Sequence, residues 1–211
     1  MALSMSDLAK TTQDVYERNA ARFDAERAKI LFEKKWIDCF LGFVPEAGHV
    51  LDLGCGSGEP IAGYIIGKGY KLTGVDASAA MLRLAREKFP NGDWRKMDMR
   101  ALDLPELFHG ILGWNSFFHL TRDEQRAVLP KLMAHLAPSA VLMLTVGPEE
   151  GEVTGQVGDD TVYHASLSRE EYRSILVFEG MSMIEFVVED PDCDYHTILL
   201  AQKAPGPDQS I

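Results

Sequence analysis

Three glycines stand at alternate positions, Gly54, Gly56 and Gly58, directly after an apolar run that ends at Leu53. An apolar, helix-like stretch begins just beyond them, so this segment predicts a strand, a tight turn and the start of a helix. Glycine lets the backbone come close to a ligand and take up dihedral angles that a side chain would forbid. The first turn of the helix adds free N–H groups and a positive dipole end. We therefore expect the turn to receive a flat, partly anionic ligand.

Strand-like and helix-like segments alternate along the middle of the chain. Strands are predicted at residues 49–53, 71–76, 93–98, 110–116 and 140–146. Such alternation favours a parallel sheet with right-handed crossover connections. Residues 182–189 and 195–202 alternate apolar and polar side chains, which predicts a C-terminal antiparallel hairpin. The expected fold class is α/β, a Rossmann-like doubly wound sheet of seven strands, mostly parallel, with helices on both faces.

Helices are predicted around these strands from apolar spacing and capping residues. They cover residues 7–23, 28–43, 60–67 and 78–89, a segment that opens at Thr121, and residues 168–179. Pro130 falls inside the helix that opens at Thr121 and is expected to kink it or to delay its start. The acid-rich insert, residues 147–166, is expected to hold a short hairpin around Gly155–Gly158.

The first two helices have no strand partner, so residues 1–46 are expected to form an N-terminal helical cover or lid. Residues 47–203 would then form the ligand-binding part of a single domain. Residues 204–211 contain two prolines and a glycine and are expected to be a flexible tail.

The composition narrows the classes of partner. Hydrophobic residues make up 46% of the 211, and no run approaches the roughly 20 apolar residues of a membrane span. No basic segment followed by an apolar block opens the chain, so a cytoplasmic location without membrane contact is expected. The net charge of −11 argues against nucleic acid as a partner and leaves open a solvated surface or a field that favours cationic ligands. The cysteines, Cys39, Cys55 and Cys193, are far apart, so reduced thiols and no metal site are expected.

The spacing of the glycine turn separates three kinds of ligand. A phosphate-binding P-loop needs Gly-Lys followed by Ser or Thr, whereas Gly67-Lys68-Gly69 is followed by Tyr70 at the wrong end of its helix. Dinucleotide sites use G-x-G-x-x-G, and here the pattern is the tighter G-x-G-x-G. Asp76 ends the second strand, 22 residues after Gly54, where a carboxylate can accept both ribose hydroxyls. Asp98 ends the third strand and can accept from the exocyclic amine of a base.

In these motifs the chain resembles the class I S-adenosylmethionine-dependent methyltransferases of the small-molecule type, over about residues 15–203. The resemblance rests on Val50–Gly58, Gly74–Ser78, Met97–Met99 and Asn115–Leu120, together with the C-terminal hairpin. These motifs are specific to the family and its cofactor and leave the methyl acceptor open. Many relatives have Phe-Asp-Gly before the fourth strand, and His109 replaces that acid here.

The resemblance implies roles for individual residues. Asp52 and the glycine turn would hold the methionine part of S-adenosylmethionine, and Asp76 the ribose. Asp98 and Met99 would hold adenine. Trp114 and Asn115 would line the floor of the cofactor site, and Tyr16 with Phe23 would belong to the lid. The full set of implied cofactor contacts is Tyr16, Asp52, Gly54, Cys55, Gly56, Gly58, Asp76, Ala77, Met81, Asp98, Met99, Trp114 and Asn115.

The implied activity is methyl transfer by in-line displacement to a small molecule, bound between residues 5–25, 116–120 and 147–166. The candidate catalytic bases are His119, which follows the fourth strand, and His164 in the insert. His196 is expected at the surface, and His49 and His135 are expected to face solvent.

Other functions stay open at this point. The chain could bind S-adenosylmethionine or S-adenosylhomocysteine without transferring a methyl group. An NAD-dependent oxidoreductase is disfavoured by the turn spacing and the terminal hairpin. A nucleic-acid base methyltransferase would need Asn/Asp-Pro-Pro-aromatic, but Ser116 and Phe117 follow Asn115. The protein is expected to be a monomer or a homodimer.

Overall fold

The computed structural model of the chain describes residues 4–206. The helices of this part of the chain are α1 (Met5–Glu26), α2 (Lys34–Leu41), α3 (Ile61–Gly67), α4 (Ala79–Lys88), α5 (Arg122–Ala134) and α6 (Arg169–Phe178). Its strands are β1 (His49–Leu53), β2 (Lys71–Asp76), β3 (Asp93–Lys96), β4 (Phe108–Gly113), β5 (Leu136–Val146), β6 (Gly151–Val157), β7 (Asp160–Ser166), β8 (Met181–Asp190) and β9 (His196–Lys203).

Seven of these strands form one sheet in the order β3-β2-β1-β4-β5-β9-β8. The first five are parallel to one another, whereas β9 pairs antiparallel with both β5 and β8. The predicted α/β class and seven-stranded sheet are therefore confirmed. The strand order reverses between β1 and β4, which opens a crevice at the carboxyl ends of the parallel strands. Strands β6 and β7 form a separate antiparallel hairpin.

Helices cover both faces of the sheet, so its central strands are buried on both sides. On one face Leu51 and Leu53 of β1 pack in a cluster with residues of α5 and α6. On the other face Val50 packs in a second cluster with residues of α2, α3 and α4. All five residues of β1 are buried, which explains why the strand is apolar apart from His49 and Asp52. Packing on both faces therefore fixes the carboxyl end of β1, where the glycine turn begins.

Several strand bounds differ from those predicted. Strand β3 ends at Lys96 rather than at residue 98, and β4 runs from Phe108 to Gly113 rather than over 110–116. Strand β5 begins at Leu136, where it pairs with Phe108 ahead of a shift in register. Apolar periodicity alone does not locate such an irregular pair. Just beyond the end of β4, Asn115 takes a positive φ of 51°.

The helix predicted over 28–43 covers only Lys34–Leu41, because the chain turns at residues 28–33 to place Glu33 against Arg27. The delayed start expected from Pro130 is wrong, since α5 runs from Arg122 through that residue. This helix starts with a capping box, in which the Thr121 hydroxyl accepts from the Glu124 N–H and the Glu124 carboxylate accepts from the Thr121 N–H.

Helix α1 lies across the carboxyl edge of the sheet and packs against α4 and β7. Glu17 accepts hydrogen bonds from the Ser78 hydroxyl and the Ala80 N–H at the start of α4. Arg18 forms an ion pair of 2.7 Å with Asp160, beside the hairpin turn. That hairpin spans Gly151–Ser166, longer than the segment predicted around Gly155–Gly158. The division into a cover and a binding domain stays a prediction, and most of the expected tail, residues 207–211, lies outside the described residues.

Among residues 4–206, no helix has both the length and the apolar character needed to cross a membrane.

Candidate active site

A cavity of about 1110 Å³, its open mouth included, lies between the glycine turn and α1. It is placed at the carboxyl ends of β1, β2 and β4, the edge to which the strand order points. All of the implied cofactor contacts line it except Asp98. The sequence therefore predicts most of one cavity wall, although it does not assign the role of each residue.

The glycine turn folds against β2 and leaves one side open. Gly54 and Cys55 both donate their N–H groups to the Val75 carbonyl, at 2.8 and 3.0 Å. Gly54 has a φ of 75°, and a side chain there would collide with Ser116. At Gly56, also at positive φ, a Cβ would meet nothing within 4 Å. The turn is thus held rigidly on the sheet side while its backbone stays open towards the cavity.

Two carboxylates stand at the strand ends beside this turn. Asp76 accepts from the Gly56 and Ser78 N–H groups, each at 2.8 Å, and burial raises its pKa. Asp52 is 4% exposed, and burial, with a further contribution from Asp76, raises its pKa to about 7. Ionising Asp52 is therefore costly until a cation arrives. This end of the cavity favours a positively charged ligand group.

A buried ion pair, which no sequence pattern predicts, includes one residue that lines the same cavity. Arg27, which follows α1, lies 2.9 Å from the carboxylate of Glu33, whose side chain is fully buried. Burial raises the Glu33 pKa. Within the described residues, neither Glu33 Oε2 nor the buried Nε1 of Trp114 has a hydrogen-bond partner. Arg27 and Trp114 both line the cavity and offer it donors for an anionic group.

Asp98 lies just beyond the end of β3, where its carboxylate is bound by other groups of the protein. Its carboxylate accepts from Gln13 Nε2 at 2.8 Å and from the Arg100 backbone N–H at 2.9 Å. Arg100 also ion-pairs with it at 3.0 Å and with Glu124 at 2.8 Å. Asp98 is therefore not among the lining residues, whereas Gln13 and Arg100 are. The carboxylate is positioned to join α1 to the wall of the cavity.

The two predicted catalytic histidines are neighbours with different access to the cavity. His119 lines it, and its Nε2 lies 2.9 Å from the hydroxyl of Tyr16 on α1. His119 Nδ1 lies 2.9 Å from the Tyr163 carbonyl. Burial lowers the His119 pKa to about 4. His164 does not line the cavity, and its ring packs 4.9 Å from that of His119.

The solvent-facing positions expected for other histidines are wrong. His49 is buried, with Nε2 2.9 Å from the Thr73 hydroxyl. His135 is also buried, and its Nε2 accepts from the Leu104 N–H at 2.9 Å. His196 is partly buried and stacks on Trp114, with ring centroids 5.4 Å apart. His109 accepts from the backbone N–H of His49 at 3.0 Å, so it joins strand ends rather than the cavity. Long-range hydrogen bonds of this kind leave no periodic signal.

Of the three segments expected around the acceptor, two line the cavity. Helix α1 contributes residues from Ala9 to Phe23, and the segment after β4 contributes Ser116, His119 and Leu120. The insert instead lines an adjacent cavity, through Glu152 and Tyr163. The two cavities share Ala9 and Arg100. In the part of the chain that the structure describes, no group of three or more His, Cys, Asp or Glu side chains could hold a metal ion.

Comparison with known sequences gives a match to a family model described as a methyltransferase domain, over residues 50–139. Trans-aconitate 2-methyltransferase of Paracidovorax citrulli is 33% identical over 133 residues, which cover 58% of this chain and 46% of that protein. Carboxy-S-adenosyl-L-methionine synthase of Chromohalobacter salexigens is 27% identical over 208 residues, covering 80% and 74% respectively. The chain spans about half the length of the curated relatives that it matches first.

Two solved structures share the fold. The amino pentose methyltransferase CalS10 of Micromonospora echinaspora, bound to S-adenosylmethionine, superposes with a TM-score of 0.69 at 20% identity, covering 89% of this chain and 96% of that one. The 1,6-didemethyltoxoflavin N1-methyltransferase of Burkholderia thailandensis, bound to its substrate and S-adenosylhomocysteine, gives 0.71 at 16% identity, covering 97% and 92%.

Proposed function

We propose that the chain is a class I S-adenosylmethionine-dependent methyltransferase, and that it transfers a methyl group from S-adenosylmethionine to a small molecule. The observation that carries the proposal is the continuous cavity from the glycine turn to Tyr16 and His119. A methyl donor and its acceptor must lie in the same cavity, with the nucleoside of the donor at one end and the acceptor at the other. Trans-aconitate and amino sugars, which relatives are named for, are reasonable first acceptors to test.

The charges of the cavity fit the methionine part of the donor. Asp52, whose carboxylate is costly to ionise alone, would pair with the α-ammonium group. Arg27 and the unpartnered Nε1 of Trp114 would receive the α-carboxylate. The open backbone at Gly56 lets this zwitterion lie close to the turn.

The nucleoside part fits the next two strand ends. Each Asp76 oxygen accepts one backbone N–H and retains a lone pair for a ribose hydroxyl. Ala77, Met81, Met97 and Met99 line the wall beyond it and would contact adenine. Since Asp98 is already engaged by Gln13 and Arg100, its proposed role is to fix α1 over the nucleoside rather than to bind the base alone.

When bound, S-adenosylmethionine supplies an electrophilic methyl group, whose bond to sulfur breaks with the electron pair left on sulfur. The chain must mainly align the acceptor and exclude water, which can lower the barrier by about 7–11 kcal/mol through orientation. Tyr16 and Phe23, with ring centroids 5.4 Å apart, place aromatic surface of α1 at the cavity. Aromatic faces attract cations by about 0.5–2 kcal/mol each, which suits a sulfonium.

We extend the proposal to the remaining expectations. Residues 1–46 would act as the lid, since α1 forms one wall of the cavity. The acceptor would be a small molecule rather than nucleic acid, because the net charge of −11 opposes phosphate binding. A cytoplasmic location and a monomer or homodimer complete the proposal.

Calorimetry with S-adenosylhomocysteine tests the cofactor part, with NADH as the control ligand. We expect S-adenosylhomocysteine to bind and NADH not to bind, whereas the opposite result would overturn the assignment. Methyl transfer is then tested by mass spectrometry on S-adenosylmethionine with trans-aconitate and an amino sugar. Donor binding without a methylated product from any acceptor would favour the second candidate, a binding protein without transfer.

A further inference from the structure

A short chain of hydrogen bonds joins α1 to His119 and then to β7. Tyr16 on α1 lies with its hydroxyl 2.9 Å from His119 Nε2, and His119 Nδ1 lies 2.9 Å from the carbonyl oxygen of Tyr163 on β7. Tyr16 and His119 both line the cavity, whereas Tyr163 closes the chain from behind. Three separate elements thus contribute to this hydrogen-bond chain, whereas a histidine at the surface needs no such partners.

The partners of His119 determine where its proton sits. A carbonyl oxygen can only accept, so Nδ1 must donate to Tyr163. In a neutral imidazole the other nitrogen then has a free lone pair, and Nε2 accepts from the Tyr16 hydroxyl. The basic lone pair of His119 therefore points at the Tyr16 hydroxyl, whose exchangeable proton lies between His119 and the cavity. This is the arrangement that a proton relay needs.

The surroundings keep both groups in the required state at neutral pH. Burial lowers the pKa of His119 to about 4, and the nearby ring of His164 acts in the same direction. Burial and Asp76 raise the pKa of Tyr16, while Arg27 opposes them. His164 from β7, Asp76 from β2 and Arg27 after α1 are thus the titratable groups that act on the pair. Before reaction, His119 is neutral and Tyr16 carries its proton.

The charges at the reacting end of the cavity argue against a polycarboxylate acceptor. Over the described residues, two cationic side chains line the cavity: Arg27, which the donor's α-carboxylate would engage, and Arg100, which is paired with Asp98 and Glu124. The adjacent cavity, which shares Arg100, is lined by more acids than bases: Asp123, Glu124 and Glu152 against Lys10 and Arg100. A neutral or cationic acceptor meets less repulsion there than a polyanion.

We propose that Tyr16 and His119 together take the proton of the methyl acceptor, and that the acceptor is therefore an amine or hydroxyl compound rather than a polycarboxylate. This inference rests on the proposed function and names the acceptor class of the same site. A hydroxyl must lose its proton on methylation, and a primary or secondary amine yields a neutral methylated amine only by losing one, whereas an ionised carboxylate has none to lose.

The proton balance closes within these residues. As the acceptor atom forms its bond to the methyl carbon, its proton passes to Tyr16 Oη, and the Tyr16 proton passes to His119 Nε2. The methyl–sulfur bond breaks with its electron pair on sulfur, so the positive charge leaves the sulfonium as the imidazolium forms. The net charge of the cavity is unchanged, which offsets the low basicity of a desolvated His119. The imidazolium returns its proton to solvent when the lid opens.

The first test reads the His119 proton directly and needs no acceptor. Protein with ¹⁵N-labelled histidine is saturated with S-adenosylhomocysteine, and long-range ¹H–¹⁵N spectra are recorded from pH 5 to 8. We expect a neutral ring with the proton on Nδ1 at pH 7, and a changed Nε2 shift in Tyr16→Phe. A proton on Nε2, or a cationic ring at pH 7, would overturn the relay.

The second test uses variants and probe acceptors. Aniline and phenol serve as amine and hydroxyl probes, propane-1,2,3-tricarboxylate as the polycarboxylate probe, and the control variant is Tyr195→Phe at an exposed tyrosine. His119→Gln can place a carbonyl oxygen near Nε2 to accept from Tyr16 but cannot take its proton. We expect Tyr16→Phe and His119→Gln to lower kcat on aniline or phenol by about 100-fold or more, with S-adenosylhomocysteine affinity within threefold.

Two results would contradict the inference. One is faster methylation of the tricarboxylate than of either other probe. The other is a loss of kcat in His119→Gln no larger than that of Tyr195→Phe. Failure of the wild-type protein to bind S-adenosylhomocysteine would instead overturn the proposed function, so the two failures are distinguishable.

Discussion

Asp52 shows how a buried carboxylate can be held ready for a cation. Its pKa is raised to about 7, first by burial and then by Asp76. The folded pKa lies above the unfolded value, so the carboxyl contributes more to stability when protonated. That contribution is lost as pH rises from about 4 to about 7. An ammonium ligand would offset the cost by stabilising the ionised form.

We therefore predict that S-adenosylhomocysteine affinity rises with pH through this range. Because binding of the ammonium group favours ionised Asp52, the association constant should approach a tenfold increase per pH unit below pH 7 and level off above it. Calorimetry from pH 5.5 to 8 measures this. The increase should be absent in Asp52→Asn and for 5′-methylthioadenosine, which lacks the amino-acid group. An equal pH dependence for 5′-methylthioadenosine would contradict the role of Asp52.

Arg27 carries a second prediction at the residue scale. Replacing it leaves Glu33 buried without its partner, so Arg27→Gln should destabilise the fold by about 3–5 kcal/mol. The double variant Arg27→Gln/Glu33→Gln should recover most of that loss in denaturant unfolding. In the double variant S-adenosylhomocysteine should bind about 10- to 150-fold more weakly. Affinity for 5′-methylthioadenosine should be unchanged, and an equal loss for both ligands would show that Arg27 does not receive the carboxylate.

At the scale of elements, α1 is joined to the rest of the molecule by separate polar contacts. Glu17 binds the start of α4, Gln13 binds Asp98, and Arg18 with Asn19 binds Asp160 on the hairpin. These contacts are partly exposed, so each adds little to global stability. If α1 acts as the proposed lid, these contacts together would set how long it stays over the cavity. A wall built in this way can open without unfolding the sheet.

We predict that Asp160→Ala speeds release of S-adenosylhomocysteine severalfold while the unfolding midpoint stays nearly constant. The substitution removes the acceptor of both Arg18 and Asn19 and leaves every cavity-lining residue in place. Stopped-flow displacement measures the release rate. Asp159→Ala, at a neighbouring carboxylate that Arg22 alone binds among residues 4–206, is the matched control and should have a smaller effect. Equal release rates in both variants and the wild type would argue against the hairpin as an anchor of the lid.

At the scale of the whole molecule, what could be predicted follows from the range of the interactions. Alternating strands and helices specify the sheet, and strand ends such as Asp52 and Asp76 specify the edge at which the cavity forms. Both the sheet and this edge can be predicted from the local periodicity of the sequence. Contacts such as Arg27–Glu33 and Tyr16–His119 depend on how α1 crosses that edge. Asp98 lay in a predicted motif, yet its engagement by Gln13 comes from a residue 85 positions away.

The same distinction makes a prediction for the molecule as a whole. Strands β1, β2, β4 and β5 are buried on both faces, whereas α1 rests on the cavity and on polar contacts. In hydrogen–deuterium exchange, we expect α1 and the β6–β7 hairpin to exchange well before those strands in the free protein. Saturation with S-adenosylhomocysteine at 100 times its Kd should stabilise the fold by about 2.7 kcal/mol. Ligand-induced protection beyond that global stabilisation should concentrate in residues 5–26 and 54–58, because the ligand joins them. Helix α6 should gain only the protection that follows from the global stabilisation. Uniform protection along the chain would mean that α1 is part of the rigid core and not a lid.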